Sequence, residues 1–228
     1  MIIGIMGGMG PAATYYTFEK LIKLADASKD QEHLHIIIDN NTEIPDRTEF
    51  ILGNGDNPIV EMVRSLIKLE LMGANYIIIP CNTAHYFYDE IAKYTKSHII
   101  HMIRETAEFS KNTYTNNMKF LLLSTTGTYA SGIYKEVFME YGLNILEPKD
   151  EDKNMLMKWI YDIKSGVYVS ESEFNAFIDK YTRDENIPVI LGCSELSYLS
   201  DIISIKKEYI NPVSVIVKLC IDMVKKKV

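Results

Sequence analysis

The sequence has few cysteines and no long apolar run, and each of these absences excludes a class of protein. Its three cysteines are too few and too odd in number for a disulfide framework, which favours a reducing compartment. No apolar stretch approaches the roughly 18 residues of a membrane span, so we expect no membrane partner, no secretion signal and a cytoplasmic location. An excess of positive charge is also lacking, because 24 Lys and Arg stand against 31 Asp and Glu, which argues against nucleic-acid binding.

Short aliphatic runs alternate with longer helical patterns along the chain. The runs are continuous, as in strands buried on both faces of a parallel sheet, and their alternation with helices predicts an α/β fold. The predicted strands are Ile2–Met6, Leu34–Ile38, Tyr76–Ile79, Ile99–Met102, Lys119–Leu123 and Val189–Leu191. The predicted helices are Ala12–Ala25, Pro58–Met72, Thr83–Tyr94, Ile103–Ser110, Ser131–Tyr141, Glu151–Ser165, Glu171–Thr182 and Val213–Lys226.

The two halves of the sequence repeat one pattern. Each half begins with a strand and a glycine-containing loop, at Ile3–Pro11 and at Phe120–Tyr134, and each later has an apolar strand that ends at a cysteine, Cys81 or Cys193. The repeat predicts two similar parallel-sheet α/β domains related by a pseudo-two-fold axis. We expect the active site in the cleft between them, because α/β sheets bind ligands at the carboxyl ends of their strands.

The repeat also predicts the domain boundaries. Residues 1–98, together with residues 208–228, should form the N-terminal α/β domain with the C-terminal helix, and residues 99–207 should form the second domain. Cys220 falls on the apolar face of the last predicted helix, so we expect it in the core.

Cys81 and Cys193 are the candidate catalytic residues. Each precedes polar residues and a helical segment, whose free N–H groups favour a thiolate. Two thiols that face one cleft could transfer protons at both faces of a carbon centre. Two alternatives stay open: each cysteine is a buried small hydrophobic residue, or the two bind a metal with His85, four residues after Cys81.

A glycine loop and two cations could hold an anionic ligand. Residues 8–13 match the pattern G-x-G-x-x-A of dinucleotide sites, which keeps an oxidoreductase open, but the same amides could bind a substrate carboxylate. Arg47 follows the second predicted strand and could grip a carboxylate in bidentate fashion, or be a solvated surface residue. Lys164 ends a predicted helix, where a cation interacts favourably with the helix dipole.

Five motifs carry a resemblance to a known family. They are Gly7–Thr14, Asn40-Asn41 with Ile44–Thr48, Pro80–His85, Thr126–Thr128 with Ser131–Tyr134, and Gly192–Leu196. Together they resemble the aspartate racemase branch of the aspartate/glutamate racemase family over most of the chain. The glutamate racemase branch differs, because it opens with Asp-Ser-Gly and has histidine after its second Cys-Thr, where this chain has Ser194-Glu195. Serine at 194 replaces the usual threonine but keeps its hydroxyl.

The resemblance implies cofactor-independent racemisation of a small acidic amino acid, with aspartate as the expected substrate, by a homodimer with two α/β domains. It implies Cys81 and Cys193 as the catalytic acid and base. The substrate-binding residues that it implies are Met9, Gly10, Asn40, Arg47, Asn82, Thr83, Thr126, Gly127, Thr128, Lys164, Ser194 and Glu195, and no metal is expected. Alternatives are a broad-specificity amino-acid racemase, a hydantoin racemase, a dinucleotide-dependent oxidoreductase and a non-catalytic ligand-binding protein.

Overall fold

The computed structural model describes residues 1–116, 118–182 and 186–225, which contain two four-stranded parallel sheets. The strands are β1 (Ile2–Gly7), β2 (His35–Asn40), β3 (Tyr76–Ile78), β4 (His98–Ile99), β5 (Lys119–Ser124), β6 (Asn144–Leu146), β7 (Val189–Gly192) and β8 (Tyr209–Ile210). The first sheet has the order β2-β1-β3-β4 and the second has the order β6-β5-β7-β8. The two orders are the same pattern used twice, which confirms the predicted pair of similar parallel-sheet α/β domains.

Eleven α-helices among the described residues connect and cover these strands. They are α1 (Pro11–Leu24), α2 (Arg47–Ile51), α3 (Ile59–Leu71), α4 (Tyr88–Ile91), α5 (Met102–Thr113), α6 (Thr126–Ser131), α7 (Ile133–Glu140), α8 (Asp150–Lys164), α9 (Glu171–Thr182), α10 (Ser194–Leu199) and α11 (Pro212–Lys225). Short 3-10 turns lie at Asp30–Glu32, Thr83–Phe87 and Ala92–Tyr94. Within the described ranges, no helix has the length and apolar character needed to cross a membrane.

The central strands are buried on both faces, which explains their continuous apolar sequences. Ile3 and Ile5 of β1 have no exposed surface, and they pack with α11. Each fully buried aliphatic side chain of this size stabilises the fold by about 1.5–3 kcal/mol. Cys220 of α11 lies in the same cluster with no exposed surface, which confirms its predicted place in the core.

The chain passes between the two sheets near residues 100 and 211. The predicted boundary between residues 98 and 99 falls inside β4, which pairs with β3 in the first sheet. Residues 208–228 were expected to lie with the first sheet, but β8 pairs with β7 in the second sheet, and only α11 packs on the first sheet. We therefore propose boundaries near residues 100 and 211.

Two predicted elements near the first cysteine differ in the structure. The strand predicted over Ile99–Met102 is present but displaced, since β4 covers His98–Ile99. Met102 begins α5, and the ring of His101 accepts a hydrogen bond from the Arg104 N–H at the start of that helix. The single helix predicted over Thr83–Tyr94 is divided into a 3-10 turn, α4 and a second 3-10 turn. Residue 226, the predicted end of the last helix, lies outside the described residues.

Candidate active site

Both candidate cysteines line one pocket between the two domains. Cys81 follows β3, and Cys193 follows β7 and caps α10, so each lies at the carboxyl end of its sheet. Their side chains are buried, with 7% and 6% of the residue surface exposed. The pocket is lined by Met9, Asp46, Arg47, Thr48, Cys81, Asn82, Thr83, Thr125, Met157, Lys164, Gly192, Cys193, Ser194 and Glu195.

The backbone around Cys81 is fixed from both domains. The Ser194 hydroxyl donates a hydrogen bond to the Pro80 carbonyl oxygen at 3.0 Å. The Met102 N–H donates to His85 Nε2 at 3.1 Å, so His85 Nδ1 carries the proton and donates to the Cys81 carbonyl oxygen at 2.9 Å. These bonds hold the loop that carries Cys81 against the start of α5 and against α10.

The same hydrogen bonds argue against the alternative that His85 and the two cysteines bind a metal. Both ring nitrogens are engaged by the backbone, and burial lowers the pKa of His85 to about 4, so the imidazole is neutral and committed to structure. Among the described residues, no group of three or more His, Cys, Asp or Glu side chains is arranged to hold a metal ion.

Cys193 is held beside a carboxylate. Its Sγ donates a hydrogen bond to Glu195 Oε2 at 2.9 Å. Burial and the negative charge of Glu195 raise the pKa of the Cys193 thiol well above its usual range, and the nearby Lys164 offsets only part of this effect. The start of α10 was expected to favour a thiolate here, but burial and Glu195 outweigh it. Cys193 is therefore a neutral thiol near pH 7, with a proton acceptor already in contact.

Arg47 is a buried residue and not the solvated one that the sequence left open. Its Nη1 donates to the carbonyl oxygens of Ile44 and Pro45, at 3.2 and 2.7 Å, and its Nη2 donates to the Met9 carbonyl oxygen at 3.3 Å. Its Nε is buried and has no hydrogen-bond partner in the described part of the chain. The guanidinium therefore lines the pocket in a fixed orientation, and its Nε–H group is left without a partner.

Lys164 lies at the pocket wall at the end of α8 and remains partly exposed. Desolvation alone would lower the pKa of its ammonium group, but the negative charge of Glu195, and of either cysteine when it is a thiolate, raises that pKa overall. The ammonium group is therefore positively charged near pH 7 and lines the same pocket as Glu195 and the two cysteines.

Three threonines join the two domains beside Cys81. The Oγ1 atom of Thr83 lies 3.0 Å from that of Thr125 and 2.9 Å from that of Thr128. Thr125 and Thr128 are in turn 3.0 Å apart. A Cβ atom on Gly127 would lie 2.7 Å from Thr48 Cα, so α6 and α2 approach closely at this point.

Some predicted site residues are outside the pocket wall. Asn40 is exposed at the end of β2, whereas its neighbour Asn41 is buried and donates to Ser65 Oγ at 3.0 Å. Neither Thr126, Gly127 nor Thr128 lines the pocket, although Thr125 does. Gly10 borders the site, since a Cβ atom there would lie 3.4 Å from Glu195 Oε1.

Met157 is the lining residue that the sequence least indicated. It lies two turns before Lys164 on α8, and only that helical spacing connects it with the site. Asp46 and Thr48 belong to the motif around Arg47, but neither was expected at the pocket.

The glycine loop is packed against its surroundings. Gly8 has a φ of 92°, which favours glycine, and a Cβ atom there would lie 2.1 Å from the Asn41 carbonyl oxygen. The Gly8 N–H donates to Thr14 Oγ1 at 3.0 Å, so this amide is already used and is not free for a phosphate. The loop supports the site wall through Met9 and Gly10.

The pocket is nearly closed. Its volume is about 20 Å³, which is room for about one water molecule. Its walls come from both domains, so a ligand larger than a water molecule would need those walls to move apart.

The sequence profile of the Asp/Glu/hydantoin racemase family matches residues 6–220. The chain belongs to that family. The match disfavours the dinucleotide-dependent oxidoreductase that the glycine pattern had left open. It indicates that the chain is an amino-acid racemase. The broad specificity amino-acid racemase RacX of Bacillus subtilis is 30% identical to this chain over 212 residues, which cover 88% of each protein.

Solved structures of family members share the whole fold. The Picrophilus torridus aspartate racemase is 31% identical, with a TM-score of 0.79 over 97% of this chain and 94% of that one. An aspartate racemase homologue from Pyrococcus horikoshii is 26% identical, with a TM-score of 0.77 over 98% of both chains. A Francisella tularensis glutamate racemase in complex with D-glutamate is 16% identical, with a TM-score of 0.70 over 99% of this chain and 81% of that one, and it supports the fold alone.

Proposed function

We propose that this chain racemises a small acidic amino acid, with aspartate as the expected substrate, and that Cys81 and Cys193 transfer the α-proton without a cofactor. One observation carries the proposal. In the described part of the chain, four buried side-chain N or O atoms have no hydrogen-bond partner: Asp39 Oδ2, Arg47 Nε, Asn82 Nδ2 and Glu195 Oε1. The last three belong to residues that line the pocket with the two cysteines.

These three atoms match the polar groups of an α-amino acid. Arg47 Nε and Asn82 Nδ2 are donors that suit an α-carboxylate, whereas Glu195 Oε1 is an acceptor that suits an α-ammonium group. A buried polar atom without a partner costs about 1–3 kcal/mol, so a ligand that supplies all three partners regains that free energy on binding. The pocket therefore favours a ligand that carries both a carboxylate and an ammonium group, as an amino-acid zwitterion does.

The proton transfers follow from the two thiols. In one direction Cys81, as the thiolate, removes the α-proton, and the Cys193 thiol delivers its proton to the opposite face. Cys193 is then the thiolate and Cys81 the thiol, which is the starting state for the reverse direction. Glu195 serves the Cys193 side, because its carboxylate is in contact with the thiol and can hold its proton.

The developing negative charge needs stabilisation because no electron sink is part of the proposal. Deprotonation moves charge onto the α-carboxylate, where Arg47 Nε and Asn82 Nδ2 would bind it more strongly as it grows. Donors that are fixed before the reaction lower the barrier in this way. Arg47 is fixed by its three carbonyl partners, and Asn82 by the hydrogen bond that its Oδ1 accepts from Tyr134.

The preference for an acidic side chain rests on Lys164. With Arg47 at the α-carboxylate, a second cation at the pocket wall suits a second carboxylate. A broad-specificity racemase is the second candidate, which the likeness to the Bacillus subtilis relative favours. A homodimer and a cytoplasmic location remain proposals that rest on the family resemblance and on the sequence.

The test is incubation of the purified protein with single enantiomers of a panel of amino acids in deuterated water, without added cofactor. We expect aspartate to be racemised with deuterium at the α-carbon, faster than glutamate, alanine or serine, as measured by chiral chromatography and mass spectrometry. Cys220→Ser is the control and should keep wild-type turnover, because Cys220 is in the core. Absence of α-deuterium in every amino acid would refute the proposal, and equal rates across the panel would favour the broad-specificity alternative.

A further inference from the structure

The side-chain amide of Asn82 is held in one orientation. Asn82 has 2% of its surface exposed, and its Oδ1 accepts a hydrogen bond from the Tyr134 hydroxyl at 2.6 Å. Its Nδ2 is buried and has no hydrogen-bond partner in the described ranges. The amide therefore turns its acceptor toward Tyr134 and keeps its donor unused.

Tyr134 donates in this contact, and its O–H has no other acceptor in the described part of the chain, so a turned amide would leave that proton without a partner. It belongs to α7 in the second domain, has 1% of its surface exposed, and packs its ring 5.7 Å from that of Phe138. Burial raises the pKa of its phenol, so the hydroxyl keeps its proton throughout the pH range in which enzymes work. Since Asn82 follows β3 in the first domain, the bond also spans the two domains.

The orientation matters because the amide has an acceptor, Oδ1, on one side and a donor, Nδ2, on the other. With Oδ1 on the phenol, Nδ2 faces the site and can donate to a carboxylate. Without the phenol, Asn82 Oδ1 has no other hydrogen-bond partner among the described residues, and the amide can turn so that Oδ1 faces the site. A carboxylate opposite that oxygen would meet an acceptor and be repelled, because neither group has a proton to give.

We propose that Tyr134 is a positioning residue, which orients the Asn82 amide across the domain interface so that its Nδ2 group donates to the carboxylate of the substrate. The proposal rests on the proposed function, because the donor needs an anionic substrate. Tyr134 itself does not line the pocket and acts only through Asn82.

A double-mutant cycle with Tyr134→Phe and Asn82→Ala tests this. In the wild-type background, Tyr134→Phe should lower kcat/KM for aspartate roughly 10–100-fold, the range expected for a lost hydrogen bond to a charged group. In the Asn82→Ala background the same change should lower kcat/KM less than about twofold, because the group on which Tyr134 acts is gone. The hydrogen bond is already lost in Asn82→Ala, so the thermal midpoint should also fall less in that background; kcat/KM is therefore compared well below the lowest midpoint, where all four proteins are folded.

Tyr129→Phe is the matched control. Tyr129 is also a buried tyrosine of the second domain, but its hydroxyl bonds the Leu122 carbonyl oxygen and the Ser124 N–H, away from the pocket. It should lose stability yet keep kcat/KM within about threefold of wild type. Equal losses of kcat/KM from Tyr134→Phe in both backgrounds would overturn the proposal.

Asn82→Asp keeps the test decisive if Tyr134→Phe does not fold. That change preserves the acceptor for the phenol and replaces the donor with a second oxygen, so kcat/KM should fall at least tenfold. Wild-type kcat/KM in Asn82→Asp would overturn the proposal. Absence of turnover in the wild-type protein would instead refute the proposed function itself, so the two failures are distinguishable.

Discussion

Replacement of Glu195 by Gln removes a charge from the contact with Cys193 and keeps the shape of the side chain. In the wild-type protein the thiol donates to Glu195 Oε2 at 2.9 Å, and the carboxylate charge is one of the causes that raise the pKa of Cys193. The substitution should therefore have two opposite effects. The pKa of Cys193 should fall, because a negative neighbour is lost, while proton transfer should slow, because the proton acceptor is lost.

The expected size follows from the proton-transfer role. A positioned general base contributes roughly 10²–10⁴-fold. We expect Glu195→Gln to slow α-proton exchange of the enantiomer that faces Cys193 by at least about 100-fold, or about 2.7 kcal/mol of barrier. Loss of the charge opposite the α-ammonium group should weaken both enantiomers alike, so exchange of the other enantiomer, which depends on Cys81 as base, should fall clearly less than that of the first.

The assay is deuterium exchange of D- and L-aspartate measured separately, together with titration of the thiolate by its ultraviolet absorbance. Glu105→Gln is the control, because Glu105 is a half-buried carboxyl of α5 whose pKa is raised by burial and by Glu108, and it lies outside the pocket. Wild-type exchange rates for both enantiomers in Glu195→Gln would refute the reasoning. A higher pKa for Cys193 would refute it equally.

Three further changes have defined outcomes. Lys164→Met should raise KM for aspartate roughly 10–100-fold and leave KM for alanine unchanged, since it removes a charge-assisted bond to the side-chain carboxylate; equal losses for both substrates would contradict this. Gly127→Ala should lower the free energy of unfolding in urea by about 1–3 kcal/mol, because the added Cβ would lie 2.7 Å from Thr48 Cα. Burial raises the pKa of Cys220 from 9.0 to about 12, so the unfolded chain loses this proton first and the unfolding free energy should fall as pH rises from 9.0 toward 12. Cys220→Val should weaken that decline without loss of turnover, and an unchanged decline would contradict the assignment.

The fold was predictable where strands are buried on both faces. The runs Ile3–Met6 and Phe120–Leu123 are continuous and apolar because helices cover both sides of the sheet. The strands β6 and β8 were not predicted, because they are only three and two residues long and lie at sheet edges. The segment predicted as one helix from Thr83 begins instead with a 3-10 turn. The His85 ring donates to the Cys81 carbonyl oxygen, which an α-helix would use for the His85 N–H, and that N–H donates to the Asn82 carbonyl oxygen.

The site residues that follow a strand within a sequence motif were predictable. The contacts that form only when separate segments pack together were not. The two cysteine motifs brought Cys81, Asn82 and Thr83 to the pocket together with Cys193, Ser194 and Glu195. The partner of Cys193 and the contacts of Arg47 depend on how separate segments meet, which spacing does not encode. Asn40 was expected at the site, but it is exposed at the end of β2 and is not among the lining residues.

The exchange of α-protons by Cys81→Ser and Cys193→Ser tests the two-thiol mechanism most directly. Each variant is incubated with D- or L-aspartate in deuterated water, and the α-deuterium and the enantiomer ratio are measured over time. We expect neither variant to racemise aspartate, because a serine hydroxyl is a much poorer base near neutral pH. Each should still exchange the α-proton of one enantiomer, and the two variants should prefer opposite enantiomers. Racemisation at the wild-type rate by either variant, or the same enantiomer preference in both, would contradict the mechanism.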